Sequence, residues 1–525
     1  MQRRTFLIGS AATVATAAAA TAGGGYAYKH RPRSPVVTGS TSPTRGYGAV
    51  TMSQTKARSD APNVLFIALD DCSDWVGFLA NHPGTKTPNL DALAATSLSF
   101  TNAYCVAPMC NPARTGVMFG QQPFNVGVYD HSDPSFQHYY QMAGITPSLV
   151  DDMWAAGYQA IGAGKVFNDP ETQRWAMYRD TAYYADFFDR KPPTAPDRYN
   201  PDWLSPYDGQ PEGMGEKMTA DMIDWGPSGK NRDDDPEGQA STWVARRLQD
   251  SYDKPFFLAY GAICTHVPWR VPQQFFDMHP LDQIVLPDYR PDDLDDLPPY
   301  ALKKIVDTNH QFARIVKDHL WANAVQAYQA AISYADDCVG RVLNQLASSP
   351  YADNTIVMLW SDHGFHMGEK MHIEKFTLWE HGTRVPFLLH VPGTFTKAQT
   401  FDRPISTIDI GPTVTDLVGA TTHATNHQGK SLLPVIKDPQ LADARPPLMT
   451  WKVGNNAVRK DKWRYIRYVT GDVELYDHSN DPDELTNLAT NDETQDIQRE
   501  LKQYLPDIPR NADTDPNAVV PIGHD

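Results

Sequence analysis

The chain has 525 residues, 41% hydrophobic and 21% charged, which is ample for one large core or two domains. Its 63 acidic and 46 basic residues leave a formal charge of -17, which argues against a general nucleic-acid binder, whose surface is basic. A small basic cleft on an acidic surface stays compatible with that balance, and no internal repeat is visible.

Residues 1–28 read as an export signal. Arg3 and Arg4 precede Thr5, Phe6 and Leu7, then an alanine-rich apolar run that ends in small residues. The pattern resembles a twin-arginine signal, so the expected partner is the Tat export machinery. The expected location is the bacterial periplasm or beyond, with a membrane tether if the signal stays uncleaved. Residues 29–60, rich in Pro, Ser, Thr and Gly, read as a flexible linker. Asn63–Leu69 is a short apolar run ending at Asp70 and Asp71, the pattern of a central α/β strand buried on both faces. Helices are expected at 88–95, around 115–119 and at 145–156. Further strands are expected at Phe256–Tyr260, Thr355–Trp360 and Pro386–Val391, with a long amphipathic helix from Leu320 to Leu346 between the first two. After residue 433 the texture changes. Trp463–Val469 alternates and Glu474–Tyr476 follows a turn, so residues 434–525 read as a smaller antiparallel subdomain beside a catalytic domain at 61–433.

Two strand ends carry similar polar clusters, Asp70 with Asp71 and Asp362 with His363. Three carboxylates and one imidazole suit a divalent cation, and the oxygen-heavy set favours calcium over zinc. Either pair alone reads equally well as solvated turn residues; two such ends in one chain favour the metal. The run Cys110, Asn111, Pro112, Ala113, Arg114 is the second signal. Proline is welcome in a first helical turn, and the free N–H groups of that turn form an anion seat beside residue 110. Arg114, one turn on, is placed to neutralise or orient whatever residue 110 becomes. A buried thiol at a helix start is the alternative reading. Cys72, Cys105, Cys264 and Cys338 are too scattered for a disulfide framework and read as small buried hydrophobes.

Cys110, Pro112, Ala113, Arg114, Thr115 and Gly116, followed by Gly120 and Pro123, resemble the signature of the type I formylglycine-dependent sulfatases of the alkaline-phosphatase-like superfamily. Lys165, Val166 and Phe167, then Thr265, His266 and Pro268, then Ser361 to Gly364, Glu369, Lys375 and Thr383 to Pro386 are similar in order to the iduronate-2-sulfatase branch. The resemblance implies an α/β, alkaline-phosphatase-like sandwich. A large, mostly parallel mixed sheet is flanked by helices, with a smaller C-terminal antiparallel sheet. It implies that a maturation enzyme converts Cys110 to formylglycine, and that Asp70, Asp71, Asp362 and His363 bind one calcium ion per chain together with residue 110. Arg114 and Lys165 would steady the aldehyde hydrate. His266 and Lys375 would contact the sulfate ester, one of them assisting the departing alkoxide. Asn168 stands where the branch has a histidine; it can hydrogen-bond but does not titrate. His366 and His372, just past the metal-binding strand end, are further candidates for substrate recognition. The expected substrate is a sulfated carbohydrate, with Tyr183, Tyr184, Phe187, Phe188 and Trp203 as either a sugar platform or core. The rivals are a phosphodiester or phosphonate hydrolase of the same superfamily, and a non-catalytic, calcium-stabilised glycan-binding protein.

Overall fold

The computed structural model describes residues 37–38, 44–47, 50–130, 147–168, 174–179, 223, 225–288, 290–303, 311–423 and 427–509. The signal segment, His131 (a further candidate histidine for the pocket) and the aromatic residues from Tyr183 to Trp203 lie outside them.

Nine strands make the central sheet: β1 (Val37–Thr38), β2 (Asn63–Leu69), β3 (Leu98–Phe100), β4 (Gln159–Gly164), β5 (Met177–Arg179), β6 (Phe256–Ala262), β7 (Thr355–Ser361), β8 (Phe387–His390) and β9 (Gln399–Phe401). Across the sheet the order is β1-β5-β4-β6-β2-β7-β8-β3-β9. The five strands from β5 to β7 are parallel, while β8 runs antiparallel to both its neighbours. Central strand β2 explains its own composition. Leu65, Ile67 and Leu69 enter one core and Val64, Phe66 and Ala68 the other, so both faces demand apolar side chains.

Helices α1 (Pro88–Ala94), α4 (Pro236–Arg247) and α5 (Trp321–Ala347) bury Leu90, Val244, Ala327, Ile332 and Val339 in the first core. On the other face, α2 (Cys110–Phe119), α3 (Leu149–Ala155) and α6 (Ile410–Val418) contribute Val117, Met153 and Val414. Helix α3 starts later than its apolar spacing suggests. Ser148 and Asp151 form a capping box there, which fixes the first turn. Tyr178, at the edge of the aromatic run, is core: it is buried and stacked on Trp175.

Part of the stretch expected to be a flexible linker is paired instead. β1 adds antiparallel to β5, Val37 opposite Tyr178, and Thr44–Tyr47 forms a hairpin with Val50–Ser53. An open sheet edge offers unpaired N–H and C=O groups to any extended segment nearby, and this one fills it.

The C-terminal sheet is antiparallel, in the order β10 (Leu448–Trp451), β11 (Asn455–Lys460), β12 (Trp463–Arg467) and β13 (Val473–Asp477). Val458, Tyr465 and Leu475 pack under helix α7 (Gln495–Lys502) through Leu501. From the opposite face, Ala457, Ile466 and Tyr476 pack against Tyr104 and Trp379 of the larger unit. Among the described residues, no helix is long and apolar enough to cross a membrane.

Candidate active site

Four neighbouring parallel strands, β4, β6, β2 and β7, stop at one edge of the sheet in near register. Gly164 pairs Gly261, and Leu69 pairs both Ala262 and Ser361. The residues that follow are Lys165, Thr265 with His266, Asp70 with Asp71, and Asp362 with His363. Separated by up to 293 residues in sequence, from Asp70 to His363, they meet because parallel strands present their carboxyl ends to one crevice. All are buried.

Asp71 has φ 55°, a left-handed turn that swings its carboxylate off the strand line. Tyr328 of α5 holds that turn. Its hydroxyl donates to the Asp71 carbonyl and accepts from the Ser73 N–H, both at 2.8 Å. Asp362 Oδ1 accepts the N–H of Asp71 at 3.1 Å and of His363 at 2.9 Å. His363 places Nδ1 2.9 Å from the Gly364 carbonyl, so Nδ1–H donates there and Nε2 faces the cluster. That Nε2 is 3.1 Å from Asp71 Oδ1 and 3.3 Å from Cys110 Sγ.

Cys110 opens α2. Its N-cap, Met109, is extended and lends no side-chain cap, so the first-turn N–H groups stay free of one. Lys375 Nζ lies 3.2 Å from Cys110 Sγ, 3.0 Å from Asp71 Oδ1 and 3.2 Å from His266 Nε2. His266 Nδ1 is 2.6 Å from the Val267 carbonyl, so its Nε2 accepts from Lys375. Lys165 Nζ donates to Asp70 Oδ2 at 3.0 Å.

Arg114 departs from its expected role beside residue 110. Its Nε donates to Asp362 Oδ2 and one Nη2 proton to Asp70 Oδ1, each at 2.9 Å. The other three donors go to the carbonyls of Leu69, Lys165 and Val166. A guanidinium has five N–H groups, and all five brace the carboxylates and the strand ends. His366 and His372 also differ from expectation. His366 Nε2 is 2.7 Å from Thr377 Oγ1, and His372 Nε2 is 2.8 Å from the Lys375 carbonyl. Both rings hold the loop rather than project from it. Asn168 is half-buried, and its shielded Oδ1 has no hydrogen-bond partner among the described residues.

Burial opposes charge throughout the cluster, yet neighbours override it for the carboxylates. Against that cost, His266, Lys375 and His363 hold Asp71 well below the usual carboxylate range. Arg114 and His363 do the same for Asp362. For Cys110, burial wins over Lys165 and Lys375 and keeps the thiol well above its ordinary value. A plain thiol here is therefore protonated at neutral pH, a poor nucleophile.

The donor atoms of Asp71, Cys110, Asp362 and His363 all lie within 4.8 Å of one another, and Asp70, Asp71 and His266 form an overlapping group. Ionised carboxylates plus an imidazole whose Nε2 would exchange its proton for a metal, sealed from solvent, fit a divalent cation of the hard, oxygen-preferring kind. Sequence alone gave no hint of Tyr328, which sits in the apolar stripe of α5 and reads as core.

The sulfatase family profile matches residues 62–420, and the profile of the N-sulphoglucosamine sulphohydrolase C-terminal region matches residues 368–511. A sulfatase of Formosa agariphila is 34% identical over 467 residues, covering 88% of this chain and 90% of that protein. This chain belongs to the sulfatase family. Other sulfatases are similar at lower identity. A choline-sulfatase of Rhizobium meliloti is 28% identical, over 82% of this chain and 83% of that protein. Mouse iduronate 2-sulfatase is 29% identical, over 73% and 71%. No single branch of the family stands out. Among solved structures, the phosphonate monoester hydrolase of Agrobacterium radiobacter shares the fold, with a TM-score of 0.65 and 19% identity over 84% of this chain and 94% of that one. A 2-O GAG sulfatase does so at 0.61 and 20%, over 84% and 90%.

Proposed function

We propose that this sulfatase removes sulfate from a sulfated carbohydrate, using formylglycine made from Cys110 by a separate maturation enzyme. The observation that carries the reading is the convergence on residue 110. Its side chain starts a helix, lies 3.3 Å from His363 Nε2 and 3.2 Å from Lys375 Nζ, and shares a buried pocket with Asp71 and Asp362.

Asp70, Asp71, Asp362, His363 and residue 110 would hold calcium, which supplies Lewis-acid stabilisation of charge on the nucleophile and on sulfate oxygens. Formylglycine, as its hydrate, supplies the attacking hydroxyl. Everything else is done by the chain's own side chains. Arg114 clamps Asp70 and Asp362 so that their oxygens stay converged. Lys165 and Lys375 bring positive charge to an anion whose oxygens gain charge in the transition state. Lys375 also holds a proton at Nζ, hydrogen-bonded to His266 Nε2. That pair is the source of the proton for the departing alcohol. Asp70, Asp71 and Asp362 balance Arg114, Lys165 and Lys375, so of a divalent cation's two charges the sulfate ester's single negative charge would cancel one and a deprotonated hydroxyl of the hydrate the other, leaving no net charge buried.

Iduronate 2-sulfatase and the 2-O GAG sulfatase, by their names, act on sulfated sugars, and this supports a glycan substrate over an aryl phosphonate. Within the family we place the chain in the iduronate-2-sulfatase-like branch, on His363 and the ordered Lys165, His266 and Lys375 motifs. Mass spectrometry of the peptide spanning residue 110, after co-production with a maturation enzyme, should show thiol-to-aldehyde conversion. Cys110→Ala should fold and release no sulfate from an aryl sulfate. Sulfate release at the parent rate by Cys110→Ala, or active protein with an unconverted thiol, would overturn the reading.

A further inference from the structure

Lys375 reaches residue 110 from an unusual piece of backbone. His366–Met367 and Ile373–Glu374 pair as a two-residue antiparallel ribbon, with His366 opposite Glu374. Lys370 (φ 55°) and Met371 (φ 51°) both sit in the left-handed region within the connecting turn. So do Glu374 (φ 116°) and Phe376 (φ 74°), the residues on either side of Lys375. Four non-glycine residues in this state persist only where the surroundings over-determine them. Part of what holds the loop is local. Trp321 Nε1 donates to the Met367 carbonyl at 2.6 Å, the Phe376 N–H to the Pro108 carbonyl at 3.1 Å, and His372 meets the Lys375 carbonyl.

A further anchor is a buried lysine that the chemistry leaves unused. Lys370, 2% exposed, donates from Nζ to Asp293 Oδ1 at 2.9 Å and to the backbone carbonyl of Glu484 in the C-terminal region. Its ammonium also lies 5.1 Å from the ring centre of Tyr476, on β13, and 5.8 Å from that of Trp379. Trp379 in turn donates to Glu474 Oε2, also on β13, at 2.7 Å. Ammonium, carboxylate, carbonyl and two aromatic faces fix the tip of the ribbon to the smaller sheet. The other end of the same ribbon carries Lys375.

We infer that Lys370 is a positioning residue for the reaction: through Asp293, Trp379, the Glu484 carbonyl and Tyr476 of the C-terminal sheet it holds the strained loop in the shape that presses Lys375 against residue 110. With Lys370 cut, the tip loses its anchor, the left-handed residues relax, and Lys375 Nζ withdraws. The C-terminal sheet thereby contributes to catalysis without lending a side chain to the reacting atoms. The inference rests on Lys375 acting at the sulfate ester as proposed above.

The test is a double-mutant cycle on the matured, calcium-loaded enzyme. Turnover of an aryl sulfate is measured for the parent, Lys370→Met, Lys375→Ala and the double variant. Where turnover of Lys375→Ala falls below detection, the inhibition constant of inorganic sulfate closes the cycle. Lys370→Met should lower kcat/KM by about 10- to 100-fold, the scale of an ångström of misplacement. In the Lys375→Ala background the same change should alter it less than about twofold, because the group it positions is gone. Additive losses would overturn the inference, since a purely structural lysine harms both backgrounds equally. If Lys370→Met fails to fold, Asp293→Asn loosens the same anchor with the lysine retained and enters the cycle in its place. Full activity in Lys375→Ala would instead defeat the reading of Lys375 itself, an outcome separate from additivity.

Discussion

His381 lies in the short turn Glu380–Thr383, buried, with Asp483 Oδ1 3.4 Å from its Nε2 and the ring of His366 packed 5.7 Å away. Burial alone would lower its pKa, but Glu369, Asp483 and Asp74 together pull it up to about 10. The unfolded value is about 6.5. A raised pKa means the native state binds the proton more tightly, so the stabilisation is complete below about pH 6.5 and is lost as pH rises through about 10. His381→Gln cannot carry that charge. Its stability deficit against the parent, read from denaturant unfolding, should be widest near pH 6 and close toward pH 10. A deficit that stays level across that range would show the charge to be idle. The same residue marks where the sequence could and could not be read. Asp70, Asp71, Asp362 and His363 were legible because each pair ends an apolar strand. The partners of Arg114, His366, His372 and His381 were not, because each is set by a contact between segments far apart in the chain or by a loop path that no periodicity encodes.

Strand ends do most of the positioning, and one of them depends on the absence of a side chain. Gly164 closes β4 at φ 75°, and a Cβ there would fall 2.0 Å from the Gly261 carbonyl oxygen. That oxygen also accepts the Lys165 N–H at 3.0 Å, so the close approach of β4 to β6 is what aims Lys165 at Asp70. Gly164→Ala should push the two strand ends apart, cost about 1–3 kcal/mol in stability, and cut kcat/KM at least about tenfold. Gly393→Ala is the matched control. Its φ of 73° is as strained, but a Cβ there meets nothing within 4 Å, so stability alone should fall. Equal loss of activity in both would refute a positional role for Gly164. At this scale the chain was largely legible: β2, β6, β7, β8 and α5 stand where apolar runs and helical spacing put them. Strand β11 was not foreseen, since Asn455, Asn456 and Arg459 are buried polar residues within it and blur the alternation, and its partner β10 is only four residues long. Nor was β1, whose pairing exists only because β5 leaves an edge open.

Across the whole molecule, the net charge of -17 and the local balance at the site describe different things. The acidic excess lies elsewhere, while the pocket matches three carboxylates with an arginine and two lysines. Calcium would therefore add uncompensated charge until an anion joins it, which couples metal affinity to sulfate. The proposed ligands also come from the ends of β2 and β7 and from the start of α2, so one ion ties two strands of the central sheet to a helix packed on one of its faces. Because the unfolded chain scatters these groups, metal binding adds to folding stability by mass action, about 2.7 kcal/mol when free calcium is a hundredfold above Kd. Melting temperature should then rise with calcium, fall on chelation, and respond less to zinc, which the oxygen-rich set disfavours. Inorganic sulfate should raise it further only when calcium is present. Asp362→Asn should abolish the calcium response while leaving Arg114 one partner short. A melting curve indifferent to chelator and to added calcium would mean that the buried carboxylates serve the lysines and Arg114 alone, and the cation would have to be removed from the account of this site.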